Sequence, residues 1–296
     1  MNVISNSPKA WMLAARPKTL SGAAIPVMLG SALAGIYGHF QLLPCILCFL
    51  FAFLMQIDAN FINDLYDYLK GADREDRLGP ERVVVNGWVT VKQMKKAILI
   101  TTLAAAVIGV FLLYYGGWEM LPVGVCCILF AFLYTTGPYP LAYHGWGDVL
   151  VIVFFGFVPV GCTYYVMAHD WNTSVTMVSL ASGLIIDTML MINNFRDRDQ
   201  DRVSGKRTVV VRFGARAGLC MYYLLGMLAC WCCFWFLSLG KFWAVVLPQI
   251  YLLPHIMTTL KMAKLNRGKE LNALLGETSR NMLIFAILLT AGMLIK

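Results

Sequence analysis

Residues 42–73, LLPCILCFLFAFLMQIDANFINDLYDYLKGAD, begin as an uninterrupted apolar run and finish in carboxylates. No charged residue occurs between Leu42 and Ile57, yet Asp64, Asp67 and Asp73, with Glu75 and Asp76 just beyond, make up five of the chain's 16 acidic residues. An apolar run of this length matches a bilayer core about 30 Å thick, which takes about 20 residues of helix to cross. The carboxylates therefore fall at the far mouth of a membrane helix. At about 1.5 Å of rise per residue from Leu42, Asn60 lies roughly 27 Å along the axis.

The rest of the chain has the same character. Of its 296 residues, 59% are hydrophobic and 14% charged, against about a quarter charged in soluble domains. Nine apolar runs occur, at about 20–38, 42–62, 97–115, 119–136, 148–168, 174–195, 217–239, 242–260 and 277–295. Their length and their Leu, Ile and Phe content point to helices rather than the alternating segments of a membrane barrel. The expectation is an all-α, polytopic bundle of nine transmembrane helices in one membrane domain, residues 1–296. The first run follows Lys9, Arg16 and Lys18 as the apolar part of a secretory signal would, but eight further runs favour a first membrane helix. Before it, SPKAWMLAARPKTL (7–20) mixes Trp11, Met12 and Leu13 with cations, as an interfacial helix does.

Cations fix the expected orientation, because Lys and Arg are retained on the cytoplasmic side. With a cytoplasmic N-terminus and nine crossings, every one of the 24 Lys and Arg except Lys241 and Lys296 falls on the inside. The C-terminus is then outside, in what the reading takes for a bacterial cytoplasmic membrane. The net charge of +8 is thereby explained by topology and not by nucleic-acid binding. All nine cysteines sit within or at the edge of apolar runs, where a free thiol packs as a small hydrophobe. Cys45 and Cys48 have metal or redox spacing but no neighbouring His.

Two cytoplasmic connections, about 63–96 and 196–216, collect the polar residues. The first reads Asn63-x-x-x-Asp67, then Asp73 and Arg82-Val-Val-Val; the second reads Asn193-x-x-x-Asp197-x-x-x-Asp201, then Lys206-Arg207-Thr-Val-Val-Val. Asn63 and Asn193 stand 130 positions apart, as do Asp67 and Asp197, so helices one to four and five to eight read as parallel repeats. On a helix, Asn60, Asn63, Asp64 and Asp67 share a face, and so do Asn194, Asp197 and Asp201. So many like charges repel unless they share a cation. Oxygen donors without His or Cys suit Mg²⁺, which leaves positions open for substrate phosphates. Arg82, Lys206 and Arg207 supply phosphate donors. A solvated charge cluster is the competing explanation; it suits Asp73 to Arg77 and suits the duplicated stripes poorly.

A diphosphate held at the mouth of a lipid-lined bundle implies a hydrocarbon tail below it, as in prenyl diphosphates. Aromatic faces shielding an allylic cation would come from YTTGPYPLAYHGW (134–146), with Tyr139 the foremost candidate; Tyr134, Tyr143 and Trp146 there are equally suited to an interfacial belt.

NDLYDYLKGAD and NNFRDRDQDRVSGKRT, at this separation, resemble the two Asp-rich motifs of the UbiA superfamily of intramembrane prenyltransferases. ARPKTLSGAAIPVMLG, GPERVVVNGWVT and GPYPLAYHGWGDVLVIVFFG are similar to the branch that prenylates 1,4-dihydroxy-2-naphthoate in menaquinone synthesis. Gly71 stands where the superfamily's usual last Asp would be, with Asp73 two residues later, a spacing like that of the naphthoate branch. The resemblance implies that Asn63, Asp67 and Asp73 with Asp197 and Asp201 hold two Mg²⁺ ions against a polyprenyl diphosphate. Asp64 would ligate or orient, and Asp67 and Asp197 would be central to catalysis. Arg82, Lys206, Arg207, Asn60 and Asn194 would contact substrate, and Lys18 or Arg16 would meet the naphthoate carboxylate or the diphosphate. The ring would attack the allylic cation at the carbon bearing its carboxylate and lose CO₂, giving demethylmenaquinone in its reduced, quinol form without a strong general base. No obligatory protein partner is implied. Asp187, deep in the sixth run, either carries a proton or faces the cavity. The rival readings are another aromatic acceptor, such as 4-hydroxybenzoate, and a cation-coupled transporter, whose acids would sit near the midplane on broken helices.

Overall fold

The computed structural model describes residues 3–71 and 78–295. Asp73, the expected third ligand of the first motif, lies outside the described residues, as do Glu75 and Asp76. Among the described residues all regular structure is helical. We label the helices α1 (Pro8–Ala15), α2 (Leu20–Ile36), α3 (Leu42–Leu69), α4 (Val91–Gly116), α5 (Met120–Thr135), α6 (Gly147–Ala168), α7 (Thr173–Val203), α8 (Val209–Leu239), α9 (Phe242–Leu265) and α10 (Leu271–Leu294).

Eight stretches are long and apolar enough to cross a membrane, the first being Pro8–Ile36, which joins α1 and α2. The ninth expected crossing is α5, which is apolar but only 16 residues long. α4 shows what the bundle's surroundings are: only 11% of its most apolar window is buried, and Leu99, Leu103, Val107, Val110 and Phe111 face outward. In water so broad an apolar face would drive association; in a bilayer it is the ordinary exterior. The chain is a multi-pass membrane protein.

Local sequence sets the boundaries. Thr90 and Gln93 form a reciprocal capping box at the start of α4, and Asn172 and Thr208 cap α7 and α8 by accepting the backbone N–H groups of Val175 and Val211. α3 and α7 run past their apolar segments, to 28 and 31 residues. A 31-residue helix is about 46 Å long and must protrude from a core of about 30 Å. The Asn- and Asp-bearing residues are therefore rigid helix ends rather than loops.

α1 is not a free surface helix. Ser7 caps it, Ala10 and Ala14 are fully buried, and Trp11 meets Phe61 of α3 edge to face at 5.7 Å. It shares a small core with Phe61, Ile62, Leu65, Val83, Val84 and Met94, which braces the acidic end of α3.

The α6–α7 contact sets the other half. α6 widens into a π-helix from Val153 to Gly161. A β-carbon at Gly183 would come within 2.8 Å of the Ile152 backbone, and Ser182 donates to the Phe155 carbonyl at 2.8 Å. Glycine is needed for that approach.

Candidate active site

The protruding ends of α3 and α7 face each other across a polar cleft of about 190 Å³. Asn63 and Asp67 line it from α3, and Asn193, Asn194, Asp197 and Asp201 from α7. The 135–147 connection, Arg16, Arg82 and Lys206 close it.

Each cleft carboxylate from the two motifs has a cation beside it. Arg82 Nη2 lies 3.4 Å from Asp67 Oδ2. Arg196 grips the next residue, Asp197, with Nε and Nη2 at 2.7 and 2.6 Å, and its Nη1 reaches Asn272 at 2.9 Å. Lys206 Nζ lies 3.7 Å from Asp201 Oδ1.

Backbone contacts place these cations. Asp64 is 1% exposed and accepts the N–H groups of both Val83 and Val84 at 3.2 Å, drawing the 78–89 segment over α3 and Arg82 toward Asp67. Asn272 of α10 donates to the Leu78 carbonyl at 2.7 Å, and Gln200 of α7 accepts the Leu78 N–H at 3.4 Å. The second connection turns back in the same way: the Lys206 N–H donates to the Asp201 carbonyl and the Arg207 N–H to the Tyr143 carbonyl, each at 2.8 Å. Gly145, at φ 85°, passes the Arg207 carbonyl so closely that a β-carbon would lie 2.8 Å from it.

Tyr143 is the aromatic centre of the cleft. Its ring lies between Lys70 and Lys206, with Nζ atoms 5.1 and 5.0 Å from the centroid, and its hydroxyl donates to Asp67 Oδ1 at 3.4 Å. Burial and the Asp67 charge push its phenol above the usual range. Burial, with Lys206 nearby, lowers the ammonium of Lys70 despite Asp67.

Beneath the cleft lies an apolar cavity of about 520 Å³ walled by α2 to α7. Asn63, Tyr134, Leu190 and Asn193 line both spaces, so the polar cleft and the apolar cavity adjoin at these residues. A polar head joined to a hydrocarbon chain fits this pair of cavities.

The cleft gathers Asn63, Asp67, Arg82, Asn194, Asp197, Asp201 and Lys206 as the spacing implied. Other expected residues fall elsewhere. Asn60 turns from the cleft and donates to the Ala15 carbonyl and Thr19 Oγ1, both at 3.0 Å. Asp64 faces the 82–84 backbone and is not a cleft-lining group. Lys18 borders the apolar cavity, and the Arg207 side chain is exposed. Tyr139 is 54% exposed and stacked on His144 at 3.5 Å, outside both cavities. Asp187 is fully buried, meets no hydrogen-bond donor among the described residues and lines neither cavity. Arg16, in a left-handed backbone conformation, brings a buried Nη2 without a partner to the cleft wall. The structure adds Arg196, Thr135, Tyr134, Tyr143 and Asp148. Of these, Tyr134 and Tyr143 were visible as part of the aromatic cluster, and Asp148 as an acid inside an apolar run.

The donor set is made of hard oxygens. Among the described residues no three His, Cys, Asp or Glu side chains converge closely enough to hold a metal by themselves. Hard oxygen donors of this kind suit a divalent ion of the Mg²⁺ type better than Zn²⁺. The Arg and Lys partners of Asp67, Asp197 and Asp201 balance the same charges.

The model of the UbiA prenyltransferase family matches residues 23–281. The 1,4-dihydroxy-2-naphthoate octaprenyltransferase of Haemophilus influenzae is 34% identical, covering 99% of this chain and 98% of that protein. The enzyme of the same name from Escherichia coli is 37% identical over 79% of each chain. In structure, the chain is similar to a UbiA homolog from Archaeoglobus fulgidus bound to DMAPP and Mg²⁺, with a TM-score of 0.70 and 14% identity over 97% of this chain and 99% of that one.

Proposed function

This chain belongs to the UbiA prenyltransferase family, and we propose that it transfers a polyprenyl group from its diphosphate to 1,4-dihydroxy-2-naphthoate in a divalent-metal-dependent reaction. The observation that carries this reading is the junction of an Asp- and cation-lined cleft with a tail-sized apolar cavity at Asn63, Tyr134, Leu190 and Asn193. The naphthoate acceptor follows from relatives of that name at 30–37% identity.

Asn63 and Asp67 on one side and Asp197 and Asp201 on the other would hold two Mg²⁺ ions, with Asp73 the candidate to complete the first set; bound there, the ions would supply the positive charge that makes the diphosphate a better leaving group. Arg82, Arg196 and Lys206 pair with the carboxylates until substrate arrives, then donate to phosphate oxygens, and Arg16 supplies its unpartnered Nη2 to a phosphate or to the acceptor carboxylate. The C–O bond to the diphosphate breaks and its electron pair leaves with the diphosphate. The faces of Tyr134 and Tyr143, rather than the exposed Tyr139, shield the allylic cation from water. The ring carbon bearing the carboxylate forms the new C–C bond, and cleavage of the carboxylate as CO₂ returns an electron pair to the ring. No protein base is required.

Asn60, Asp64, Lys18 and Arg207 act around this centre: Asn60 ties α1 to α3, Asp64 latches the Arg82 segment, Lys18 stands beside the tail cavity and the Arg207 backbone anchors Tyr143. With α5 as a short ninth crossing, the N-terminus and both acidic helix ends lie in the cytoplasm and the C-terminus outside, a topology favoured by the Lys and Arg of the connections. The matching return of the chain after each acidic helix supports a duplication of helices one to four in five to eight, within one domain.

The test is incubation of the purified protein with 1,4-dihydroxy-2-naphthoate, a long prenyl diphosphate and Mg²⁺. Prenylated product and free diphosphate appear in equal amounts and EDTA stops both; consumption of 4-hydroxybenzoate in preference to the naphthoate would reassign the acceptor.

A further inference from the structure

Asp148 begins the first turn of α6, where the helix end favours a negative charge. It is 7% exposed and lines the polar cleft, and its buried Oδ1 meets no hydrogen-bond donor among the described residues. This sets it apart from Asp67, Asp197 and Asp201, each of which has an Arg or Lys partner. A buried polar oxygen left without a donor is costly, so such an atom in a cavity wall marks a place where a ligand supplies the donor.

Its position narrows the ligand. The preceding Gly147 packs against the wall shared by the two cavities: a β-carbon there would lie 3.2 Å from Leu190 Cδ2 and 3.5 Å from the Tyr134 hydroxyl. Tyr134 and Leu190 line both the polar cleft and the tail cavity, so Asp148 stands where the head group gives way to the first carbons of the tail. A carboxylate there repels both the diphosphate and the carboxylate of the acceptor. Asp148 stands outside the two Asn- and Asp-bearing stripes to which the metal is assigned above. An aromatic hydroxyl remains as the donor that can reach this level of the cavity.

We propose that Asp148 recognises the aromatic co-substrate, its carboxylate accepting a hydrogen bond from a ring hydroxyl and so fixing which ring carbon faces the allylic centre. This rests on the prenyltransferase reading above and extends it to acceptor selection. Asp187 lines neither cavity. A site built to hydrogen-bond a substrate hydroxyl discriminates strongly against analogues that lack it, because the buried acceptor is then left unpaired.

The experiment compares wild type, Asp148→Asn and Asp148→Ala. The inhibition constants of 1,4-dihydroxy-2-naphthoate analogues lacking one or the other hydroxyl are measured in competition with the acceptor. Mg²⁺-dependent binding of the prenyl diphosphate is measured alongside as the control for folding. Wild type prefers the dihydroxy compound to one of the two analogues by about tenfold or more, and in Asp148→Ala that preference falls to within about twofold while prenyl diphosphate binding is retained. Asp148→Asn, which keeps the shape and one acceptor, falls between. Retention of the wild-type preference in both variants overturns the proposal, and so does loss of prenyl diphosphate binding in both. A wild-type protein that consumes no naphthoate at all would instead defeat the parent reading, so the two failures are distinct.

Discussion

Asp64→Asn separates a latch from a metal ligand. In wild type the Asp64 carboxylate, almost wholly buried, accepts two backbone N–H groups, those of Val83 and Val84, each at 3.2 Å. Asparagine keeps one acceptor oxygen and turns an N–H₂ toward the other amide, so one hydrogen bond to a charged acceptor is lost, worth about 1.5–3 kcal/mol. At 1.36 kcal/mol per decade, the 78–89 segment shifts toward release by roughly ten- to hundredfold. Arg82, the residue before Val83, then leaves its place 3.4 Å from Asp67. The measured consequence is a rise in KM for the prenyl diphosphate, by up to about a hundredfold, with kcat recovered at saturating substrate. The Mg²⁺ concentration for half-maximal rate stays unchanged, and amide exchange at Val83 and Val84 accelerates. Unchanged exchange together with a higher Mg²⁺ requirement would refute the latch and restore Asp64 as a ligand.

Three further outcomes follow from the same geometry. Tyr139→Ala retains kcat/KM within about threefold, since that ring is exposed and stacked on His144, whereas Tyr143→Ala lowers it by at least about tenfold; steady-state kinetics on both decide it. Because burial and Asp67 raise the Tyr143 phenol above its ordinary value of 10, this residue stays neutral through the working range. Tyr143→Phe therefore leaves the shape of the neutral pH–rate profile unchanged, and a displaced alkaline limb would contradict the assignment. Gly183→Ala forces a methyl to within 2.8 Å of the Ile152 backbone and destabilises the α6–α7 contact by about 1–3 kcal/mol, read as a lower melting temperature in detergent.

The paired stripes were legible because Asn63 and Asn193, like Asp67 and Asp197, stand 130 positions apart in matching patterns, which the residue order displays whatever the details of packing. Helical spacing alone was too coarse for their neighbours. A stripe at i, i+3 and i+4 spans about 100° of arc, so Asn60 and Asp64 can turn toward α1 and the 82–84 backbone while Asn63 and Asp67 face the cleft. What Asp64 accepts is a pair of amides 19 and 20 residues further along, and no local pattern announces such a contact. The 134–146 connection was read as a cluster of aromatics, but its 3₁₀ turn at Leu141–His144 brings Tyr143 inward and leaves Tyr139 outside. The sequence carried one unused signal at Asp148. An acid inside an apolar run is costly in a membrane and tends to mark function.

The proposed reaction requires two helix ends, 130 residues apart in sequence, to act as one diphosphate site. Titration of an unreactive prenyl thiolodiphosphate into the purified protein tests it most directly, with and without Mg²⁺, for wild type, Asp67→Ala and Asp197→Ala. Wild type binds only with Mg²⁺, and either substitution weakens binding by about a hundredfold or more while the protein stays folded. Wild-type affinity in either variant, or binding that ignores Mg²⁺, would contradict the claim.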